Sequence, residues 1–141
     1  MRIVTTYKRN VDNISCMNVK TDTKEKFTVI TPWEPYLTAN MTEELTNMLL
    51  LHLQKDIPHV VFNMVPVHDI DEKAGEVLAA IQQKFYDKNC SFVICELHPD
   101  VEEKLDKQGL LEILNVTPSE SEAWDIVQME EIERELLGDE D

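Results

Sequence analysis

The chain has 141 residues, of which 28 are acidic and 13 are basic, so its formal net charge is −15. This length fits one domain, and a hydrophobic fraction of 43% is enough for a packed core. Such a charge excludes a general nucleic-acid binder, which needs a basic face, and it argues against adhesion to anionic membranes. We find neither an apolar run of the roughly 18 residues that span a bilayer nor a signal peptide, so we expect a cytoplasmic protein.

The charge is unevenly distributed along the chain. Residues 1–26 carry six basic and three acidic side chains, whereas residues 117–141 carry one basic and ten acidic ones. We therefore predict three parts: an N-terminal arm at residues 1–26 that contributes strands to the same domain, a main domain at residues 27–137, and an acidic tail at residues 138–141.

Short apolar runs predict the N-terminal strands. Residues 3–7, 14–19 and 27–30 have this pattern, and the polar stretch 21–26 joins the last two as a hairpin.

A capping-box pattern marks the start of the first helix. Asn40 and Glu43 have the spacing at which two side chains satisfy backbone N–H groups of the first turn. Residues 59–65 are nearly all apolar, as expected of a strand that is buried on both faces. The first helix has one apolar face, formed by five side chains with helical spacing: Met41, Leu45, Met48, Leu49 and His52.

The second half alternates helices and strands in the same way. A second helix follows the acidic residues Asp69, Asp71 and Glu72, which suit the positive end of a helix dipole. Residues 91–95 predict another buried strand, and Pro99 opens a third, short helix. The apolar face of the second helix consists of Ala74, Val77, Leu78, Ile81 and Phe85.

Gly109 is expected to end the third helix in the left-handed conformation, so that Leu110 folds back on it. Residues 111–116 predict a short strand, and Thr117 caps a last helix that has Glu120 in its first turn. Alternation of strands and helices implies parallel strands joined by helical crossovers, and hence an α/β fold.

This order of elements resembles the STAS domain, the fold of bacterial anti-sigma-factor antagonists and of a cytoplasmic module of sulfate transporters. The resemblance covers roughly residues 27–137. It implies a mixed β-sheet with helices packed on one face, to which this chain adds an N-terminal hairpin and a long acidic C-terminal helix. Three local matches support it: strand 60–64 followed by Asp71 and Val77-Leu78; strand 91–95 followed by Pro99, Val101 and Leu105-x-x-x-Gly109-Leu110; and the helix start at residues 117–123.

The chain departs from the family at the position that carries its regulatory chemistry. In family antagonists an aspartate precedes two hydroxyl residues, and a partner kinase phosphorylates the second. Here Asp71 matches the aspartate, but Glu72 and Lys73 occupy the hydroxyl positions and Ala74 occupies that of a glycine. The resemblance therefore implies a partner-binding surface without the phosphorylation switch. Its residues are Asp69, Asp71, Glu72, Lys73, Ala74 and Glu76.

Other patterns allow two interpretations each. Asp69, Asp71 and Glu72 with His68 fit a metal or acid–base cluster, but we favour a helix cap, since Asp69 and Glu72 have capping-box spacing.

Cys90 and Cys95 lack the spacing of redox or zinc pairs, so we expect buried structural thiols on opposite sides of a strand. Trp33 and Tyr36 form either a ligand-gripping loop or, as we favour, a lid on the core. In the last helix we expect Trp124 and Val127 to pack on the sheet, and leave open whether residues 132–137 pack or bind a partner.

The leading hypothesis is a non-catalytic regulatory module that binds a bacterial signalling partner, either an anti-sigma factor resembling a kinase or a larger assembly. An alternative is a cytoplasmic accessory subunit of a lipid or anion transporter. The third and least favoured hypothesis is an enzyme or small-ligand binder. It ranks last because the sequence shows no nucleophile–base pair, glycine-rich loop or metal-ligand spacing. We predict no catalytic residue, cofactor or metal, and note that the first hairpin offers an edge for pairing as a homodimer.

Overall fold

The structure is a computed structural model that describes residues 19–138. The strand predicted at residues 3–7, most of that at residues 14–19 and the end of the acidic tail lie outside these residues. The described part comprises β1 (Val19–Thr23), β2 (Thr28–Pro32), β3 (Tyr36–Leu37), α1 (Ala39–His52), β4 (Val60–Asn63), β5 (Asp69–Ile70), α2 (Glu72–Asp87), β6 (Phe92–Cys95), α3 (Pro99–Lys107), β7 (Val116–Thr117) and α4 (Glu120–Gly138).

The main sheet has five strands in the order β1-β2-β4-β6-β7. β1 and β2 form an antiparallel hairpin, and the remaining neighbours pair in parallel. A second, two-stranded sheet pairs β3 with β5 in parallel. The predicted α/β fold with a mixed sheet and helical crossovers is therefore confirmed. β1 begins where the predicted strand at residues 14–19 ends, so it occupies part of the predicted connection at residues 21–26.

Alternate strand residues supply two separate hydrophobic clusters, because successive side chains in a strand point to opposite faces. The larger cluster joins one face to α1, α2 and α3, and the smaller one joins the other face to α4. Helices therefore cover both faces of the sheet, and not only the one face expected from the sequence. Buried residues of the main sheet in the larger cluster are Val19, Ile30, Val60, Phe62, Phe92 and Ile94. Those in the smaller one are Val29, Val61, Val93 and Cys95, which meet Ala123 and Val127 of α4.

Two helices begin at residues other than those predicted. Thr38 is the N-cap of α1, and its hydroxyl accepts a hydrogen bond from Met41 N at 3.3 Å, so the expectation of Asn40 as the cap is wrong. In α4 the hydroxyl of Ser119 accepts from Glu122 N at 3.3 Å. Thr117, the predicted cap of α4, lies in β7 instead.

The chain after α3 turns more tightly than predicted. Gly109 has a φ of +74°, and Leu110 N donates to Leu105 O at 2.9 Å, which confirms the left-handed helix end. Residues 111–113 then form a turn, in which Leu114 N donates to Leu110 O, rather than the start of the predicted strand. Only β7 remains of that strand. Across residues 19–138, no helix combines the length and the apolar character needed to cross a bilayer.

Candidate functional site

The six residues predicted to bind a partner lie around the start of α2, but they differ in exposure. Glu72, Lys73 and Glu76 are exposed, and Asp69 and Asp71 are half-buried. Ala74 is fully buried in the larger cluster. The surface available to a partner therefore consists of the charged residues, while Ala74 positions the helix beneath them.

Asp71 links the start of α2 to two other elements. It is the N-cap residue of α2 by backbone conformation, but its side chain makes no capping hydrogen bond there. Instead, its carboxylate accepts hydrogen bonds from the Tyr36 hydroxyl and from the backbone N–H of Ala39, the latter at 3.0 Å. Hydrogen bonding to Tyr36, and then to Ala39, lowers the pKa of Asp71. The favoured capping box from Asp69 to Glu72 is therefore wrong, since α2 begins only at Glu72.

Asp69 belongs to β5 and pairs with α3. Its carboxylate lies 2.6 Å from Lys104 Nζ, which also donates to the carbonyl of Ile70 at 3.1 Å. The hydrogen bond between them lowers the pKa of Asp69 and raises that of Lys104. Both groups stay charged near neutral pH, and together they hold α3 beside the start of α2.

Gly75 lets α2 approach α3 closely. A Cβ atom at this position would lie 2.9 Å from Gln108 Oε1 and 3.0 Å from Leu105 Cδ2. Gln108 Nε2 also donates to the carbonyl of Glu72 at 2.9 Å. The first turn of α2 is thus fastened on the α3 side by Gln108 and on the α1 side by Asp71. A glycine inside a helical pattern was the available signal for this approach, but the partner residues were not predictable from spacing.

The described residues do not support a metal site. No group of three or more histidine, cysteine, aspartate or glutamate side chains within residues 19–138 is arranged to hold an ion. The ring of His68, a candidate member of that cluster, lies instead against the ring of His98, with centroids 4.2 Å apart and planes tilted by 36°. His98 Nε2 lies 2.6 Å from the carbonyl of Val65, so the histidine pair joins two loops.

The two cysteines in the described part are free and buried, as predicted. Cys90 contributes to the larger cluster and Cys95 to the smaller one, so they lie on opposite sides of the sheet. Burial raises the pKa of Cys95 to about 12 and also raises that of Cys90. Neither thiol is therefore prepared to act as a nucleophile near neutral pH.

The aromatic residues before α1 do not cover the core. Trp33 and Tyr36 each leave 44% of their surface exposed. This exposure is too large for the predicted lid on the core. The hydroxyl of Tyr36 belongs to the candidate surface through its hydrogen bond to Asp71.

The two halves of α4 contact the sheet differently. In the first half, Val127 is fully buried and Trp124 packs on Phe27 with ring centroids 5.3 Å apart, which confirms the predicted packing. In the second half, Met129, Ile132, Leu136 and Leu137 are between 57% and 70% exposed. The apolar residues between positions 132 and 137, for which the sequence allows either packing or partner binding, therefore face solvent.

A polar network, which spacing did not reveal, holds the second half of α4. The hydroxyl of Ser91 donates to Glu130 Oε1 at 2.6 Å and accepts from Arg134 Nη2 at 2.9 Å. Tyr86 also donates to Glu130 Oε1, at 2.8 Å.

A histidine at the start of β4 extends this network. His59 Nδ1 accepts from Ser91 N at 3.0 Å, so its proton is on Nε2, which lies 2.8 Å from Glu131 Oε1. Burial lowers the pKa of His59.

Comparisons with known proteins agree with this fold. The family model described as the STAS domain matches residues 18–123. A putative anti-sigma factor antagonist from Thermotoga maritima has a TM-score of 0.62 and 17% identity, covering 88% of this chain and 94% of that one. An anti-sigma factor antagonist from Mycobacterium paratuberculosis has a TM-score of 0.68 and 14% identity, covering 86% and 99%.

A third similar structure is a much larger protein. The murine anion transporter solute carrier 26 family member A9 has a TM-score of 0.63 and 18% identity. The match covers 74% of this chain and only 18% of the transporter. A comparison with curated protein sequences finds no match.

Proposed function

Because this chain belongs to the STAS domain family, we propose that it is a non-catalytic interaction module that binds a signalling protein through the start of α2. The exposed side chains of Glu72, Lys73 and Glu76 make the contact, and the half-buried Asp69 and Asp71 border it. Similarity to anti-sigma factor antagonists favours a bacterial transcription regulator as the partner system.

The observation that carries this proposal is the exposed, charged first turn of α2. Glu72 and Lys73 occupy the positions where the family's antagonists have two hydroxyls. Neither side chain accepts phosphate in that switch, so binding is constitutive and depends on a fixed pair of opposite charges. The cationic Lys73 stands at the phosphorylated position itself, which distinguishes this surface from an imitation of the phosphorylated state.

The contacts beneath the surface support a rigid binding site. Asp71 fastens the start of α2 to α1, Lys104 joins β5 to α3, and Gln108 binds the carbonyl of Glu72. A preorganised surface loses little conformational entropy when it binds, which favours recognition without a conformational switch.

Site-specific photo-crosslinking tests the proposal. A photoreactive amino acid replaces Lys73 in one variant and Leu51, which is 59% exposed on α1, in the control. In the native host we expect one specific adduct from position 73 and none of the same mass from position 51. The same adduct from both positions, or none from position 73, contradicts the proposal.

The identified partner also permits a test of the switch. The purified protein is incubated with that partner and ATP, and phosphate on every serine, threonine and tyrosine of the chain is measured by mass spectrometry. We expect no phosphate on the protein and unchanged affinity for the partner. Stable phosphorylation of any of these hydroxyls that changes the affinity would refute constitutive binding.

The similarity to an anion transporter favours a second candidate. In this alternative the chain is a cytoplasmic accessory subunit of a lipid or anion transporter and uses the same surface. The crosslinked partner decides between the two, because a transporter subunit or its ATPase supports this alternative and a sigma-factor regulator supports the first.

A further inference from the structure

The outer face of α4 carries an apolar stripe that the described fold leaves uncovered. Met129, Ile132 and Leu136 are spaced by three and four residues, so they share one side of the helix. They are 60%, 57% and 66% exposed, whereas Val127 on the inner side is fully buried. A row of large exposed apolar side chains on a single helix face marks an interaction surface.

The stripe is presented by a helix that is held firmly to the body of the protein. On the inner side of the same turns, Glu130 and Arg134 are bonded to Ser91, and Glu131 pairs with His59. These contacts fix the rotation of the helix, so the apolar side cannot turn toward the sheet without breaking them.

The stripe is separate from the surface at the start of α2. The family model ends at residue 123, before the first residue of the stripe. This part of α4 therefore lies outside the matched family region.

The surroundings of the stripe determine what can bind it. The exposed residues Glu122, Asp125, Glu133 and Glu135 flank it, and the last turn of α4 contains no basic residue. Arg134 is directed inward to Ser91 and does not offset this charge. The carbonyl end of the helix dipole adds negative potential at the same place. A partner must therefore combine an apolar ridge with basic flanks.

From these observations we propose that the outer face of α4 binds an amphipathic, basic helix of a protein partner, with the apolar side on Met129, Ile132 and Leu136. Lysine or arginine residues beside the ridge pair with Glu133 and Glu135. A second copy of this chain is a poor occupant, because it would bring the same acidic flanks to the contact.

A peptide-binding experiment on the full chain tests this proposal. The probe is a synthetic amphipathic helix of leucine and lysine, labelled for fluorescence anisotropy, and the matched peptide carries glutamate in place of lysine. The stripe variant combines Met129→Gln, Ile132→Gln and Leu136→Gln. Its control combines Leu51→Gln and Ile113→Gln, since both residues are 59% exposed elsewhere on the surface.

We expect the lysine peptide to bind and the glutamate peptide not to bind. The affinity of the stripe variant for the lysine peptide should be lower by about tenfold or more, whereas the affinity of the control variant should equal that of the unmodified protein. Glu133→Lys with Glu135→Lys should also weaken binding, and added salt should reduce the affinity of the unmodified protein.

Three results would overturn the proposal. One is equal affinity of the stripe variant and the unmodified protein for the lysine peptide. Another is a dimer that the stripe variant converts to a monomer, which would make a second copy the occupant. The third is binding that appears only after deletion of residues 2–18, which would assign the stripe to the chain's own N-terminal segment.

Discussion

The carboxylate of Asp71 at the start of α2 accepts a hydrogen bond from the backbone N–H of Ala39, at the start of α1, at 3.0 Å. One side chain thus satisfies an N–H group of a helix that precedes it by 32 positions in the sequence. Its negative charge also lies at the positive end of the α1 dipole. The candidate surface is therefore coupled to α1 as well as to its own helix.

Replacement of Asp71 by asparagine should destabilise the protein modestly, because a neutral amide accepts hydrogen bonds more weakly than a carboxylate. The pKa of Asp71 is lowered by folding, so its contribution is present above the ordinary value of 3.8 and is lost as the pH falls through the folded value. Urea unfolding should show a larger difference between Asp71→Asn and the unmodified protein at neutral pH than near pH 3. Tyr36→Phe serves as the matched variant that removes only one donor. A difference that does not depend on pH contradicts the assigned role.

Gly75→Ala should reduce the free energy of unfolding by about 1 kcal/mol, since strain against Leu105 and Gln108 exceeds the gain in helix propensity. The new Cβ would lie 3.0 Å or less from an atom of each side chain. Chemical denaturation measures this loss. Glu76→Ala, an exposed change on the same helix, should be nearly neutral. Equal effects of the two substitutions would show that α2 and α3 are not in close contact here.

His52→Leu should reduce the loss of stability in acid. Burial lowers the pKa of His52 from 6.5 to about 4, so the unfolded chain takes up a proton that the folded chain resists. The destabilising effect of His52 is therefore absent above pH 6.5, and it lowers the free energy of unfolding progressively as the pH falls toward 4. The difference in unfolding free energy between variant and unmodified protein should shift by about 2 kcal/mol in favour of leucine between pH 7.5 and pH 5. The same difference at both pH values would exclude this source of acid sensitivity.

Ser91→Ala should destabilise the protein by about 1–3 kcal/mol, because it removes the buried hydroxyl to which both Glu130 and Arg134 are hydrogen-bonded. The side chain of Ser91 is fully buried, and its hydroxyl connects these two residues of α4 to the start of β6. Ser121→Ala, at an exposed position of the same helix, is the matched control and should have little effect. Thermal unfolding of both variants provides the comparison, and similar melting temperatures would contradict a stabilising role for the network.

Apolar spacing predicted the helices and the parallel sheet because burial imposes a period on the sequence wherever an element has an inner face. The same reasoning located Gly109 correctly, since a left-handed helix end favours glycine. It failed at α1, where Thr38 and Asn40 are both suitable caps. Only the path of the preceding strand β3 decides which side chain meets the first turn.

The candidate site was less predictable because its contacts join distant parts of the chain. Asp69 lies in β5, a two-residue strand that forms by pairing with β3. No local sequence pattern therefore predicts this strand. Lys104, the partner of Asp69, is one of several lysines on exposed helices. The position of the acidic residues near the start of α2 was predictable, but the reason for them was not, since they connect helices instead of capping one.

The two halves of α4 are held to the sheet by different kinds of contact. Up to Val127 the helix completes the smaller hydrophobic cluster, and beyond it the inner side is held by Glu130, Glu131 and Arg134. The inner side of these turns is therefore fixed by its bonds to buried Ser91 and His59, whereas the outer side is exposed and makes no comparable contact with the described part of the protein. Substitutions confined to the outer side should change what the helix recognises, while the sheet, the polar network and the α2 surface keep their structure.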